Sequence, residues 1–170
     1  MRYYIIAGER SGDLHGSNLV RSIVKRDPNA VFRGFGGDEM AKAGVDILIH
    51  YKQMAFMGFV EVLSNLWTIT GFLQKCKADI ESFNPDVIIL IDYAGFNRRV
   101  AKFATQTNRK VYYYISPKVW AWRQRRALML KKNVTKMFVI LPFEVDFYKR
   151  FDWDVDYVGN PVLDAIRKHK

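Results

Sequence analysis

Asp92 stands directly behind the apolar run Val87–Ile91 and opens the turn Tyr93-Ala94-Gly95-Phe96-Asn97. A carboxylate at the end of a buried strand is placed as a general base would be. It can reach a hydroxyl proton directly, and the strand fixes its geometry. The plainer alternative is a turn aspartate followed by Asn97 as a helix cap.

A second unusual stretch is Tyr112-Tyr113-Tyr114-Ile115-Ser116-Pro117-Lys118-Val119-Trp120-Ala121-Trp122-Arg123. A β-type run ends at Ser116-Pro117, where proline forces a shaped turn. Trp120 and Trp122 follow, with Lys118, Arg123, Arg125 and Arg126 around them. Such a loop suits an anionic, partly apolar ligand; a core-facing Trp pair beside a solvated basic helix is the competing reading.

Two glycine turns add to this. Ala7-Gly8-Glu9-Arg10-Ser11-Gly12-Asp13 lets backbone approach a ligand and ends at a helix start that offers free N–H groups to an anion. Its spacing is neither the dinucleotide fingerprint nor the P-loop pattern. As an ordinary turn it would use Ser11 or Asp13 as N-cap. Gly34-Phe35-Gly36-Gly37 reads as a tight turn, with Asp38 positioned to start the next helix.

Between Lys52 and Lys75 the only charge is Glu61. Phe59, Val62, Leu63, Leu66, Ile69 and Leu73 form one helical stripe that would pack on a sheet. Phe56, Val60, Trp67 and Phe72 fall outside it, so the helix carries more apolar surface than one face needs. That surplus implies deep burial or contact with lipid, whereas Glu61, Ser64, Asn65, Thr68 and Thr70 argue against a membrane span.

These segments need a frame that brings loops together. Apolar runs at Tyr3–Ala7, Ala30–Gly34, Asp46–Ile49, Val87–Ile91, Val111–Ile115, Lys136–Ile140 and Asp156–Val158 read as strands. Helical patterns cover Leu14–Lys25, Glu39–Ala43, Phe59–Phe83, Asn97–Thr105, Trp120–Leu130 and Glu144–Arg150. The alternation predicts one α/β domain with a mostly parallel sheet and helices on both faces. Ligands of such sheets bind at the carboxyl ends of the strands, where the unusual loops lie.

The 170 residues suffice for one core, and hydrophobic content of 49% excludes a disordered chain. Cys76 is the single cysteine, so no internal disulfide forms and a reducing compartment is expected. The amino terminus reads as a strand, not a signal peptide. A net charge of +10 points to an anionic partner. No nucleic-acid recognition motif is present, and His15, His50 and His169 lack ligand spacing, so no metal is expected.

In order along the chain, several segments resemble those of the lipid-A-disaccharide synthase family. They are Ala7-Gly8-Glu9 with Ser11-Gly12-Asp13, Met57-Gly58 with Glu61-Val62-Leu63, and Asp92 with Gly95-Phe96-Asn97. Ser116-Pro117 with Val119-Trp120-Ala121-Trp122-Arg123 follows, then Leu141-Pro142-Phe143-Glu144 with Phe147-Tyr148, and Val158-Gly159-Asn160-Pro161. The tryptophan element is the most specific. Asn160 departs from the family, many of whose members have His at that place.

The resemblance implies a Rossmann-like amino-terminal half of a GT-B glycosyltransferase over residues 1–170, the carboxy-terminal donor-binding domain lying outside this chain. In the complete enzyme the donor is UDP-2,3-diacylglucosamine and the acceptor is 2,3-diacylglucosamine 1-phosphate. It implies Asp92 as the catalytic base and Gly8, Glu9, Ser11, Gly12, Asp13, Met57, Glu61, Asn97, Ser116, Lys118, Trp120, Trp122 and Arg123 as substrate-binding. It also implies membrane contact through Phe56, Phe59, Val60, Leu63, Trp67 and Phe72. No cofactor is expected, since helix dipoles and cations could carry the leaving diphosphate. The expected location is cytoplasmic, peripheral on the inner face of a Gram-negative inner membrane, and the isolated half is expected to be inactive. The alternatives are a basic α/β module for nucleotide or nucleic acid, and a GT-B transferase for another lipid-linked sugar.

Overall fold

The computed structural model describes residues 1–56 and 65–163. Its elements run β1 (Arg2–Ala7), α1 (Arg10–Val24), β2 (Val31–Gly36), α2 (Asp38–Lys42), β3 (Val45–His50), α3 (Tyr51–Phe56), α4 (Asn65–Phe83) and β4 (Val87–Ile91). They continue with α5 (Ala94–Gln106), β5 (Lys110–Tyr114), α6 (Val119–Trp122), α7 (Arg126–Asn133), β6 (Lys136–Val139), α8 (Pro142–Lys149) and β7 (Asp156–Tyr157). All seven expected strands are present, joined in one parallel sheet of order β3-β2-β1-β4-β5-β6-β7.

Both faces of the sheet are buried, as its continuously apolar central strand requires. On one face Tyr4, Ile6, Ile88, Leu90, Val111 and Tyr113 pack with Cys76 and Ile80 of α4, Val100 and Ala104 of α5, Leu130 of α7 and Phe147 of α8. On the other, Ile5, Ile89 and Ile91 pack with Val20 of α1 and Met40 of α2. The strand order reverses at β1 and β4: β2 and β3 extend to one side, β5 to β7 to the other. The carboxyl ends of β1 and β4 therefore form the topological switch point, where a crevice opens between diverging loops.

Several expectations are corrected. The α1 helix starts at Arg10, not Leu14, so Ser11 and Asp13 lie inside its first turn and neither is the N-cap; Glu9 holds that place without a side-chain cap. The stretch Trp120–Leu130 is two helices, α6 and α7, separated by Arg123–Arg125. Helix α3 was not expected. Its signal is Gln53, three residues past His50, whose side-chain oxygen accepts the His50 N–H at 3.1 Å as a capping-box residue does.

Helix α4 is tied to the sheet by a polar cluster. Arg33 of β2 holds Asp79 in a bidentate pair at 2.8 to 3.0 Å, and the Tyr4 hydroxyl donates to the same carboxylate at 2.9 Å. Phe72, expected in the lipid-facing surplus, is half-buried and packs against the core with Leu73. Ile69, expected in the packing stripe, is 39% exposed. Met57, Phe59, Val60, Glu61 and Leu63 lie outside the described residues. Among the described residues no helix is long and apolar enough to cross a membrane.

Candidate active site

The site begins with the backbone of Asp92. It leaves β4 at φ 43°, and Tyr93 follows at φ 46°, two successive left-handed residues that are not glycine. Such geometry persists only when its surroundings hold it. Here Asn97, fully buried in α5, donates to the carbonyls of Ile91 at 3.1 Å and Asp92 at 2.9 Å. The buried Tyr113 hydroxyl of β5 donates to the Asp92 carbonyl as well. The Asp92 N–H in turn donates to the carbonyl of Ile115, itself at φ 64°. Asn97 is thus a positioning residue for Asp92, and its amide nitrogen is committed to that task. Neither Asn97 nor Asp92 caps α5, whose N-cap is Tyr93.

The half-buried Asp92 carboxyl titrates above the usual aspartate range, chiefly through burial and then through the negative charge of Glu9. Lys118 and the Tyr93 N–H pull it back down. These influences join three loops, after β1, β4 and β5. A desolvated carboxylate with a like charge beside it is a stronger base than one in water.

Tyr93 links the first two loops directly. Its ring lies where any Cβ on Gly8 would stand, so only glycine fits there. An open cleft of about 920 Å³ adjoins the first loop, lined by Arg10, Ser11, Leu14, Tyr51 and Lys52 among others. The α1 N-terminus, with exposed Ser11, faces this region without a side-chain cap.

Asp13 has a different task from the one expected. It is 3% exposed, and its carboxylate accepts the N–H groups of Gly37 at 2.7 Å, Glu39 at 3.0 Å and Met40 at 3.0 Å. It caps α2 from another helix and so fixes the second glycine turn, while Asp38 merely opens that helix. Gly12 is buried against Ala7 and Ile91, which sets α1 close to the sheet.

The tryptophan loop is anchored from beneath by α8. Buried Ser116 shares a 2.5 Å hydrogen bond with the Tyr148 hydroxyl. Glu144, 2% exposed, accepts the N–H groups of Leu141 at 3.0 Å and Ile140 at 3.3 Å. Burial raises the Glu144 pKa; the Leu141 N–H, Ser116, the Ile140 N–H and Trp120 all ease that rise. The buried indole N–H of Trp120 is near enough for this effect yet forms no full hydrogen bond. The Trp120 ring meets Phe143 edge-on at 5.0 Å. Ser116 is therefore a support of the loop, while Lys118 and Arg123 are exposed.

The structure brings Gly8, Glu9, Asp92 and Lys118 together, backed by Asn97. Tyr93, Tyr113, Glu144 and Tyr148 were not singled out by sequence as site residues. Among them Glu144 had a local signal, the Leu141-Pro142-Phe143-Glu144 helix start. Among the described residues no cluster of His, Cys, Asp and Glu is arranged to hold a metal ion.

The chain is 45% identical to a lipid-A-disaccharide synthase of Geobacter sulfurreducens over 166 residues, covering 98% of this chain and 43% of that protein. It is 46% identical to that of Trichlorobacter lovleyi over 165 residues, 97% of this chain and 43% of the relative. Against that of Coxiella burnetii the identity is 39% over 161 residues, 95% and 43% of the two chains. The chain thus spans less than half the length of these relatives. Among solved structures it resembles a UDP-GlcNAc 2-epimerase from Neisseria meningitidis bound to UDP-GlcNAc, with TM-score 0.69 and 12% identity over 98% of this chain and 48% of that one. A UDP-GlcNAc 2-epimerase from Methanocaldococcus jannaschii matches with TM-score 0.65 and 14% identity, covering 97% and 47%. At such identity the likeness concerns the fold alone, a Rossmann-like half of the GT-B architecture. A model of the Lipid-A-disaccharide synthetase family matches residues 3–170, and the chain belongs to that family.

Proposed function

We propose that this chain is the acceptor-side half of an inverting glycosyltransferase that builds the lipid A disaccharide. The donor is a UDP-diacylglucosamine and the acceptor a diacylglucosamine 1-phosphate. Asp92 takes the proton from the acceptor's 6-hydroxyl, the freed oxygen attacks the anomeric carbon, and the bond to the diphosphate breaks as UDP departs. Attack from the face opposite UDP inverts the anomeric centre. The observation that carries this reading is the placement of Asp92: at the switch point, in held left-handed backbone, with its pKa raised by burial and Glu9.

Lys118 and the first glycine loop supply positive charge for the acceptor phosphate, and Trp120 lies two residues beyond Lys118, in the short helix α6. Met57, Glu61 and Trp122 are assigned to substrate through the family resemblance. The apolar segment around Phe56, Phe59, Val60, Leu63 and Trp67 rests against acyl chains or the inner face of the inner membrane, since the relatives come from Gram-negative bacteria.

The test is a chimera in which this chain replaces the matched part of the Geobacter sulfurreducens relative. UDP release should require both donor and acceptor. A folded chimera that releases UDP at the same rate without acceptor contradicts the acceptor-side assignment.

A further inference from the structure

The two strands at the switch point end in register, with Ala7 of β1 paired to Ile91 of β4. The residues that follow, Gly8-Glu9 and Asp92-Tyr93, therefore leave the sheet side by side. The Tyr93 ring packs on Gly8 so closely that no Cβ fits between them. Glu9 is held by its backbone, extended at φ −146° and ψ 162°, and its carbonyl accepts the Asp13 N–H at 2.9 Å. Asp13 is buried and fixed in turn by the N–H groups of Gly37, Glu39 and Met40. The place of Glu9 beside the base is thus set by the sheet and by α2.

Its carboxylate is left without a partner. Glu9 does not cap α1 through its side chain, and among the described residues no cation lies within ion-pair distance of it. The residue is exposed, and its charge raises the Asp92 and Tyr93 pKa values after burial. Two carboxylates facing one crevice repel each other, and hydroxyls donated to both would relieve that cost. Arg10, the next residue, lines the open cleft of about 920 Å³ instead. The first loop therefore has a negative end beside the base and a positive end in the cleft.

In a 2,3-diacylglucosamine 1-phosphate only the 4- and 6-hydroxyls are free. They form a 1,3-diol, on the carbons either side of C5, so neighbouring carboxylates can take one hydroxyl each. The phosphate sits on C1, across the ring from C4. We propose that Glu9 accepts a hydrogen bond from the acceptor's 4-hydroxyl, and so selects and orients the sugar whose 6-hydroxyl meets Asp92. The phosphate is then directed away from Glu9, towards the positive end of the loop. A sugar with an axial 4-hydroxyl presents it in another direction and loses the bond. This inference rests on the acceptor-side reading of the site and adds which hydroxyl is recognised, and by which residue.

The test compares the natural acceptor with its 4-deoxy analogue in the Geobacter sulfurreducens chimera, unmutated and with Glu9→Ala or Glu9→Gln. In the unmutated chimera the 4-deoxy analogue should lose about tenfold or more in kcat/KM, since a charged acceptor is left unpaired. Glu9→Ala should lose a similar factor on the natural acceptor and distinguish the two acceptors by no more than about twofold. Glu9→Gln keeps an accepting oxygen without the charge, and should distinguish them by about threefold. Should Glu9→Ala lower the melting temperature, the Gln variant carries the comparison. Discrimination against the 4-deoxy acceptor that is unchanged in both variants would overturn the proposal. So would an unmutated chimera that depends on acceptor yet uses both acceptors equally. Equal losses on both acceptors, with the acid limb of the kcat profile moved to lower pH, would also overturn it, because Glu9 would then act only through its charge on Asp92. UDP release that needs no acceptor would instead contradict the acceptor-side reading itself, and this proposal with it.

Discussion

At the scale of single residues, chemistry and strain are set by a few contacts that the sequence only partly displays. Asp92 was legible as a candidate base because a carboxylate follows a wholly apolar strand. Its left-handed backbone, and the grip of Asn97 and Tyr113 on its carbonyl, come from partners in other elements that no local pattern reveals. Because its folded pKa is raised, the ionised form is penalised in the folded state. Stability attached to this group is therefore present below the ordinary aspartate range and is lost as pH rises through the folded pKa. Asp92→Asn should raise the melting temperature at neutral pH, and the gain should shrink as pH falls through the carboxylate range. A melting temperature lowered at neutral pH would contradict the electrostatic account. Gly8→Ala is a second residue-scale test, since its methyl group must displace the Tyr93 ring beside Asp92. It should cost roughly 1–3 kcal/mol in urea unfolding, the range for forced overpacking. A cost near zero would mean that Tyr93 is free to move.

At the scale of elements, the surprise lies in how helix starts are satisfied. Asp13 reads in sequence as a cap for its own helix; in three dimensions it serves α2, through three backbone N–H groups. A local reading assigns a cap to the nearest helix, whereas folding brings the first and second glycine turns side by side. Asp13→Ala should therefore destabilise the domain by about 2–4 kcal/mol, above an ordinary cap, since several buried donors lose their acceptor. Faster hydrogen exchange at Glu39 and Met40 would locate the loss in α2; unchanged exchange there would contradict it. The apolar segment makes a separate element-scale prediction. Val60→Ser with Trp67→Ser should weaken vesicle binding and raise solubility while far-UV circular dichroism stays unchanged. Unchanged vesicle binding would refute its role at the lipid surface. The exchange of places between Ile69 and Phe72 shows why periodicity alone misassigned part of this helix: Arg33 and Asp79 help set the face of α4 turned to the sheet, and that pair joins residues far apart in sequence.

At the scale of the whole molecule, the alternation of strands and helices carried the fold class, and all seven strands appear where apolar runs stand. Strand order did not follow from it. The reversal at β1 and β4 arises from crossover geometry, and it is what puts Glu9 across from Asp92 and makes two turns into one crevice. The central claim is that this crevice deprotonates a sugar hydroxyl through Asp92. It is tested most directly by steady-state kinetics of Asp92→Asn in the Geobacter sulfurreducens chimera, with kcat and KM for the acceptor measured separately. A positioned base is worth roughly two or more orders of magnitude, so kcat should fall by about a hundredfold or more while the acceptor KM stays within a few-fold. A variant that keeps kcat near that of the unmutated chimera would contradict the account and return Asp92 to the status of a turn residue.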